Sequence, residues 1–306
     1  MSSGAKVQTH YIKEVTPGVT PAAPAEGDWK TARLTSNMLT PTPSTAVSDE
    51  ITDGRISQGA VVTGLTIAGN LVGELSFGTF DDWLEALFYG DWTTDVLTIG
   101  AARHTFSVQK GYTDVNTYHL FKGVHAATGS IEIPQEGKIT LTIGGQALDY
   151  VDANTSFVTE PAAATTTPFM SSLSVGDVKA DGVSLAGIAC VSAMTINIDN
   201  TVQLQRCLGS GKLGPGAIIE TEAAITGTIT LAWSAKAWEI WKSQLTRTPF
   251  GIEFPITDSL GNSYVFDFPS VEFDGELPNG GKRDIIQAQL NWTVAKVAPT
   301  ITREAA

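Results

Sequence analysis

Residues 65–88 read LTIAGNLVGELSFGTFDDWLEALF. From Leu65 to Phe77, apolar residues or glycine occupy every second position, and mostly polar or small residues lie between them. This period of two predicts a strand with one buried face. The apolar residues that follow have helical spacing and predict a short amphipathic helix: Phe80, Trp83, Leu84, Leu87 and Phe88. A long strand that runs directly into a short aromatic helix is therefore the unit from which the fold is built.

The same unit occurs a second time. Residues 225–245 read ITGTITLAWSAKAWEIWKSQL, again an alternating strand followed by an aromatic helix that Ser234 can cap. Downstream of each unit, residues 134–138 (PQEGK) and 278–282 (PNGGK) share the pattern P-x-x-G-K, and each is followed by another alternating strand. A predicted hairpin precedes each of these turns, with its own turn at 111–116 in the first copy and at 259–262 in the second. The repetition indicates an architecture that tiles a surface.

The length of 306 residues suits two modules of about 150 residues, each with its own core. We expect a mainly β fold made of two tandem β-sandwich or barrel modules, each with one short α-helix. The predicted organisation is an N-terminal arm (1–32), a first module (33–150), a linker (151–185), a second module (186–298) and a C-terminal tail (299–306). Prolines and glycines should break any regular element in the arm. Residues 36–60 are interpreted as a long polar loop, and 202–217 as its counterpart in the second module.

Composition excludes several classes of protein. Charged residues make up 17% of the chain and the net charge is −13, which argues against a protein that wraps around nucleic acid. Acidity suits a surface past which DNA slides without sticking, and it also suits ordinary solubility. Two cysteines indicate no disulfide framework, and no signal peptide or membrane span is visible.

No constellation of catalytic or metal-binding residues is found. The four histidines lack metal-ligand spacing, and Gly209-Ser210-Gly211-Lys212 lacks the frame of a phosphate-binding loop. We therefore predict no enzyme activity, no metal and no cofactor.

Four motifs, taken in order, carry a resemblance. They are G-x-L-x-G-E-L (Gly69 to Leu75), F-D-D-W-L-E-A-L (Phe80 to Leu87), F-S-V-Q-K-G-Y-T-D (Phe106 to Asp114) and K-G-V…G-S-I-E-I-P-x-x-G-K (Lys122 to Lys138). This series resembles the tail tube protein (major tail protein) of long-tailed, non-contractile bacteriophages, and the second half of the chain echoes it.

The resemblance implies a structural virion protein whose rings stack into a hollow tube that conducts DNA during ejection. With two modules in one chain, it implies a trimeric ring that imitates a hexamer, and a plain hexamer is the alternative. Its partners would be further copies of itself and other tail proteins (tape measure, tail tip and terminator), with DNA passing through the lumen without specific binding and no membrane involved. The protein would be located in the host cytoplasm before assembly and in the virion tail afterwards. A decoration domain or a host-surface adhesin is the competing interpretation, because small β-sandwiches serve those roles too.

Two groups of residues are predicted to act in such a tube. The loop charges are expected to make contacts between rings that fix the register: Asp49, Glu50, Asp53, Arg55, Arg206 and Lys212. The polar positions of the last alternating strand are expected to face the lumen: Gln287, Gln289, Asn291 and Thr293. The alternatives are solvated loop charges for the first group and ordinary solvent exposure for the second.

Overall fold

A computed structural model describes residues 2–51, 54–57, 59–209 and 211–306. The strands of the N-terminal half are β1 (Val7–Glu14), β2 (Lys30–Thr31), β3 (Ser36–Asn37), β4 (Thr40–Val47), β5 (Ala60–Glu74), β6 (Val96–Thr98), β7 (Thr105–Tyr112), β8 (Thr117–Ile133), β9 (Thr140–Ala147) and β10 (Asp149–Ala153). Those of the C-terminal half are β11 (Lys179–Ala180), β12 (Val183–Ser184), β13 (Val191–Asp199), β14 (Gln203–Gln205), β15 (Ala217–Ile219), β16 (Ala224–Ala232), β17 (Phe250–Thr257), β18 (Ser263–Asp274), β19 (Gln287–Val294) and β20 (Thr300–Glu304). The helices are α1 (Asp81–Phe88) and α2 (Ala235–Ser243), with 3-10 turns at Gly4–Lys6 and Ser172–Ser174.

One strand order occurs in both halves. In the first half, neighbours in the sheet run β4-β5-β9-β8-β7, and in the second they run β13-β16-β19-β18-β17, always antiparallel. In each half the α-helix follows the equivalent strand, so that α1 comes after β5 and α2 comes after β16. The predicted mainly β, sandwich-like fold is confirmed, and the sheets described here do not close into a barrel.

Alternation places the core on one side of these sheets. In the first half the ring centroids of Trp83 in α1 and Phe106 in β7 lie 4.2 Å apart, and in the second half those of Phe254 in β17 and Phe266 in β18 lie 5.4 Å apart. One continuous cluster of buried residues extends through both halves. Ser234 caps α2 as predicted, since its Oγ accepts a hydrogen bond from the Ala237 N–H at 3.2 Å. Burial of large aromatic side chains is the main stabilising contribution to such a core.

The two halves are joined edge to edge, in what we call the module joint. Strand β8 extends beyond β7, and its residues Thr128–Ile133 pair antiparallel with Met194–Asp199 of β13. Asn200 is buried at the end of this joint, where its Nδ2 donates to the carbonyls of Leu87 (3.1 Å) and Ala126 (3.0 Å). The sheet of the first half therefore continues without a break into the sheet of the second.

A second connection, the C-terminal joint, is made by β20. This strand pairs with β18 on one side and with β6 on the other, so it links the halves a second time. Arg303 lies in it, with Nη1 2.6 Å from Asp81 Oδ2 and Nε 2.8 Å from Asp95 Oδ1, while its guanidinium stacks over Trp92. Its hydrogen bond to Asp95, reinforced by Asp81 against the effect of burial, raises the pKa of Arg303 above its usual value.

Replacing Arg303 should weaken the C-terminal joint. The change Arg303→Ala removes two charge-assisted hydrogen bonds and a cation–π contact, and we expect the free energy of unfolding to fall by about 1–2 kcal/mol because the side chain is partly exposed. Chemical denaturation followed by tryptophan fluorescence measures it. Arg303→Lys keeps the positive charge but lacks the planar guanidinium, and it should lower the free energy of unfolding by less than Arg303→Ala does. Equal stability of all three proteins would contradict this role for Arg303.

Four regions differ from their sequence interpretation. The arm contains strand β1, whose eight residues all pair with β7, so the prolines break the backbone only after residue 14. Residues 36–60 are not one loop, because β3 and β4 pair with β5. The predicted linker contacts the first half, with Met170 buried and the Ala162 N–H bonded to the Trp29 carbonyl at 2.6 Å. The predicted tail contains β20. The module boundaries themselves stay predictions.

Candidate assembly surfaces

One face of the continuous sheet is polar across both halves, and we call it the polar face. It crosses β5, β9, β8, β13, β16 and β19, which follow one another as neighbours through the module joint. Cross-strand pairs on it include Ser130–Thr142, Asn197–Ser130 and Thr228–Asn291. Hydroxyl and amide groups bond across the strands, for example Ser130 Oγ to Asn197 Oδ1 at 2.7 Å. Because every strand alternates, the opposite face carries the core.

The charges on the polar face are predominantly negative. Its carboxylates come from Glu74, Glu132 and Asp199, and from Glu272 and Asp274 where β18 continues the sheet. At the edges of the face, Lys138 forms an ion pair with Glu74, and Arg247 Nη1 lies 3.8 Å from Glu272 Oε2. Over the six strands the sequence of the paired segments contains neither lysine nor arginine. The face would therefore repel a polyanion at close range.

The four polar residues predicted on the last strand lie on this face. Gln287, Gln289, Asn291 and Thr293 are all exposed, and the residues between them are buried. Their register with β16 aligns Thr293 with Thr226 and Asn291 with Thr228. The sequence thus identified one strand of a face that extends over six.

The second surface is a protruding hairpin formed by β4 and β5. Residues Ser44 and Gly64 pair near its base, and the register shifts by one residue beyond them. Its outer part is exposed and carries large apolar side chains, such as Ile56 (84% exposed) and Val61 (68% exposed). Exposed apolar side chains clustered on one hairpin are typical of a surface that packs against another protein.

The predicted charges of the 36–60 segment lie at the tip of this hairpin. Asp49, Glu50 and Arg55 are exposed there, whereas Asp53 lies outside the described residues. Asp49, Glu50 and Arg55 therefore share one exposed segment, and their role between rings stays a prediction.

The charges of the second segment lie elsewhere. Arg206 belongs to a loop that folds back onto the first half, where its guanidinium donates to the carbonyls of Leu65 and Leu213, both at 2.9 Å. Lys212 is exposed in the same loop. Within one chain, Arg206 therefore connects its loop to Leu65 of β5. Sequence patterns did not indicate this contact, because it joins residues about 140 positions apart.

One cluster has the composition of a metal site. Glu85, Asp91 and His104 place potential ligand atoms within 4.8 Å of one another. The Glu85 carboxylate is already paired with Lys13, and His104 Nε2 lies 3.2 Å from Asp91 Oδ1 and 3.2 Å from the Gly90 carbonyl. Ion pairs and hydrogen bonds account for the cluster, and we assign no metal to it.

Membrane insertion through helices is not indicated. Neither helix among the residues that the structure describes has the length and apolar character needed to cross a bilayer.

Comparison with known proteins identifies the family. The family model described as phage tail tube protein matches residues 4–294. A search of curated proteins found no matching relative. The matched range includes both halves, the module joint, the hairpin and the polar face. The chain belongs to the phage tail tube protein family.

Proposed function

We propose that this protein forms the tube of a long-tailed, non-contractile phage as stacked rings, and that its polar face lines the lumen through which DNA leaves. Membership of the family makes the chain a structural component of the virion tail rather than a member of an enzyme family. The observation that carries the rest is the polar face, which is continuous across both halves.

The lumen assignment is supported by chemistry. A conduit for DNA has to be hydrated, because the phosphate backbone would lose its water against a dry apolar wall, and it has to avoid cations that would bind phosphates. The polar face offers hydroxyls, amides and carboxylates instead. The positions Gln287, Gln289, Asn291 and Thr293 would form one stripe of this wall in each chain.

We assign the contact between stacked rings to the β4–β5 hairpin. Its exposed apolar residues and the charges Asp49, Glu50, Asp53 and Arg55 would contact the adjacent ring, with the ion pairs fixing register more than affinity. Arg206 and Lys212 would meet them from the other ring, and Arg206 would do so while it keeps its own loop in place.

The ring is proposed to be a trimer in which six modules imitate a hexamer. Both halves keep the same strand order, which favours the trimer over a hexamer with the second module outside. The tape measure, tail tip and terminator proteins are the further proposed partners, and the host cytoplasm is the proposed site of synthesis before assembly.

Electron microscopy of the purified, concentrated protein tests the proposal. We expect hollow rods of stacked rings, with three strong and six weaker repeats in end-on averages. Seeding with tail tips should shorten the delay before growth. A protein that remains monomeric under both conditions would refute the tube assignment and favour a decoration or adhesin module.

A further inference from the structure

The module joint provides a template for contacts between chains. It pairs a strand end of the first half, Thr128–Ile133, with the first strand of the second half, Met194–Asp199. Since the two halves repeat the same strand order, the second half contains a counterpart of Thr128–Ile133, and the first half contains a counterpart of Met194–Asp199. If these two counterparts lie at open edges, they can pair between neighbouring chains as the module joint pairs the two halves of one chain.

The repeat identifies the two equivalent segments. Aligning Pro134 with Pro278 makes Glu272–Leu277 the counterpart of Thr128–Ile133. Aligning Phe77 with Trp233 makes Leu71 the counterpart of Gly227. Because Leu71 pairs with Asn37 and Gly227 pairs with Ile196, residues 35–40 are the counterpart of 194–199.

The segment at the end of β18 has an open backbone edge. The Ser270 carbonyl accepts a hydrogen bond from the Ala295 N–H on the β19 side. Because backbone N–H and C=O groups alternate between the two sides of a strand, those of residues 273 and 275 point to the opposite side. Within the described residues, no strand is paired with them there. Instead, the Gln244 side-chain amide bonds to both the N–H and the carbonyl of Gly275, each at 3.1 Å, and Trp241 Nε1 donates to the same carbonyl.

The segment at β3 has a similar edge. Met38 N–H bonds to Asn70 on the β5 side, so the backbone groups of Asn37 and Leu39 point outward. Side chains satisfy them too, since the Leu39 N–H donates to Asn37 Oδ1 at 3.1 Å and Lys110 Nζ donates to the Asn37 carbonyl at 2.6 Å. Covering a strand edge with side chains limits indiscriminate pairing.

The available edge at β3 has a defined length. Pro41 and Pro43 occupy the next two outward positions of β4, where they offer no N–H to a neighbouring strand. Strand addition is therefore confined to the residues before Pro41. At the module joint the counterpart of Pro41 is Asn200, whose N–H donates to the Ala127 carbonyl at 3.0 Å, so the joint at β3 would be shorter by this hydrogen bond.

A cleft lies beside the β3 edge. It has a volume of about 630 Å³ and is bounded by β1, Thr31–Ala32 and Ser36–Asn37. At the module joint, Pro134 and Gln135 of the turn after β8 line a smaller cavity of about 170 Å³ together with Val175, Val178 and Val191–Met194 of the second half. The equivalent turn of another copy begins at Leu277, which is 60% exposed, and Pro278. Strand addition at β3 would bring this turn to the cleft.

We propose that Glu272–Leu277 of one chain adds antiparallel to Thr35–Thr40 of the next, with Gly275 opposite Asn37, and that this pairing closes the ring. The inference rests on the proposed function and specifies its contact between chains. On joining, the backbone of Asn37 replaces the Gln244 amide on Gly275, and the turn at 278–281 enters the cleft. The polar face then continues from chain to chain.

Paired cysteines test the register. Asp274 and Met38 would face each other in a pair without backbone hydrogen bonds, as Ser130 and Asn197 do at the module joint, and such pairs bring Cβ atoms within disulfide reach. Both residues are exposed. In a background where Cys190 and Cys207 are replaced by serine, Met38→Cys with Asp274→Cys should give disulfide-linked trimers on oxidation of assembled rings.

Three controls accompany the pair. Met38→Cys with Glu276→Cys, which lies on the same face two residues out of register, should cross-link at least about tenfold less. Ser130→Cys with Asn197→Cys should form a disulfide within each chain and report the geometry of the template. Mixing the two single variants, Met38→Cys and Asp274→Cys, should yield linked dimers only. Each chain then carries one cysteine, and in a head-to-tail contact it can pair only with the other variant.

The outcomes separate this joint from the tube function. Rings or rods that cross-link through the register pair support the joint. Rings or rods that form without this cross-link, or that cross-link equally through the shifted pair, overturn the joint and leave the tube function intact. Protein that stays monomeric on grids and on denaturing gels overturns both.

Discussion

Shortening the β4–β5 hairpin should leave rings that cannot stack. Replacing residues 45–63 with Asn-Gly joins the paired residues Ser44 and Gly64 by a two-residue turn. Among the described residues that are removed, all except the half-buried Ser48 are exposed and none belongs to the core, so the fold and the edges that close the ring should be retained. We expect single rings and no rods by electron microscopy, with an unchanged circular dichroism spectrum.

A milder variant tests the apolar side chains of the hairpin without shortening its backbone. Replacing Ile51, Ile56, Val61 and Val62 with serine or threonine keeps the hairpin and removes apolar area from its tip. We expect the concentration required for rods to rise by about tenfold or more, which corresponds to about 1.4 kcal/mol per contact. Leu173→Ser, at an exposed leucine outside the hairpin, is the matched control and should change nothing. Rods of normal length from the shortened protein would contradict a stacking role for the hairpin.

Adding cations to the polar face should hold DNA inside the tube. The double change Asn197→Lys and Asn291→Lys places two ammonium groups on this face in every chain, and therefore repeats them in every ring. Each contact between lysine and phosphate releases counterions, and several in series bind DNA strongly at low salt. We expect tubes of normal appearance on phage whose infectivity falls by several orders of magnitude.

The matched control is Asn197→Gln with Asn291→Gln, which lengthens the same side chains without a charge. In solution, assembled tubes of the lysine variant should retain duplex DNA at 50 mM salt and release it as salt rises, whereas the glutamine variant should not retain it. Lysine tubes that support normal infection and retain no DNA would show that the polar face does not line the lumen.

The sequence predicted the repeated elements well, and the physical reason is their periodicity. The alternation from Leu65 to Phe77 and its counterpart at residues 225–233 identified β5 and β16, and the helical spacing of Trp83 and Leu87 identified α1. These signals are local, because a strand or helix with one buried face imposes its own period on the side chains.

The regions that were missed lack such a period. In β1 the four consecutive residues from Thr9 to Ile12 are buried, so polar His10 and Thr9 interrupt the alternation on which a strand prediction depends. In β4 the mostly exposed residues have no buried face that would impose a period, and Pro41 and Pro43 stand on the outward edge of the strand, where a missing N–H costs nothing. The positions of both prolines carry information only once the neighbouring strand is known.

The joints between the halves could not be predicted from local patterns at all. Pairing between β8 and β13 depends on two strand edges that are distant in sequence, and nothing in the composition of either strand specifies its partner. The same is true of Arg206, whose partners on β5 lie in the other half of the chain. The polar residues of β19 were identified by alternation, but the face they belong to emerges only when six strands are aligned.

The order in which the C-terminal joint forms has a consequence for synthesis. Ile301 pairs with Leu97, so the strand that links the halves a second time is synthesised about 200 residues after its partner. Pairings between residues so far apart form late in folding. A product that terminates before residue 300 would have the β8–β13 pairing and would lack β20, leaving β6 and one side of β18 open. Open strand edges of this kind favour pairing with other chains, so such truncated products are expected to aggregate.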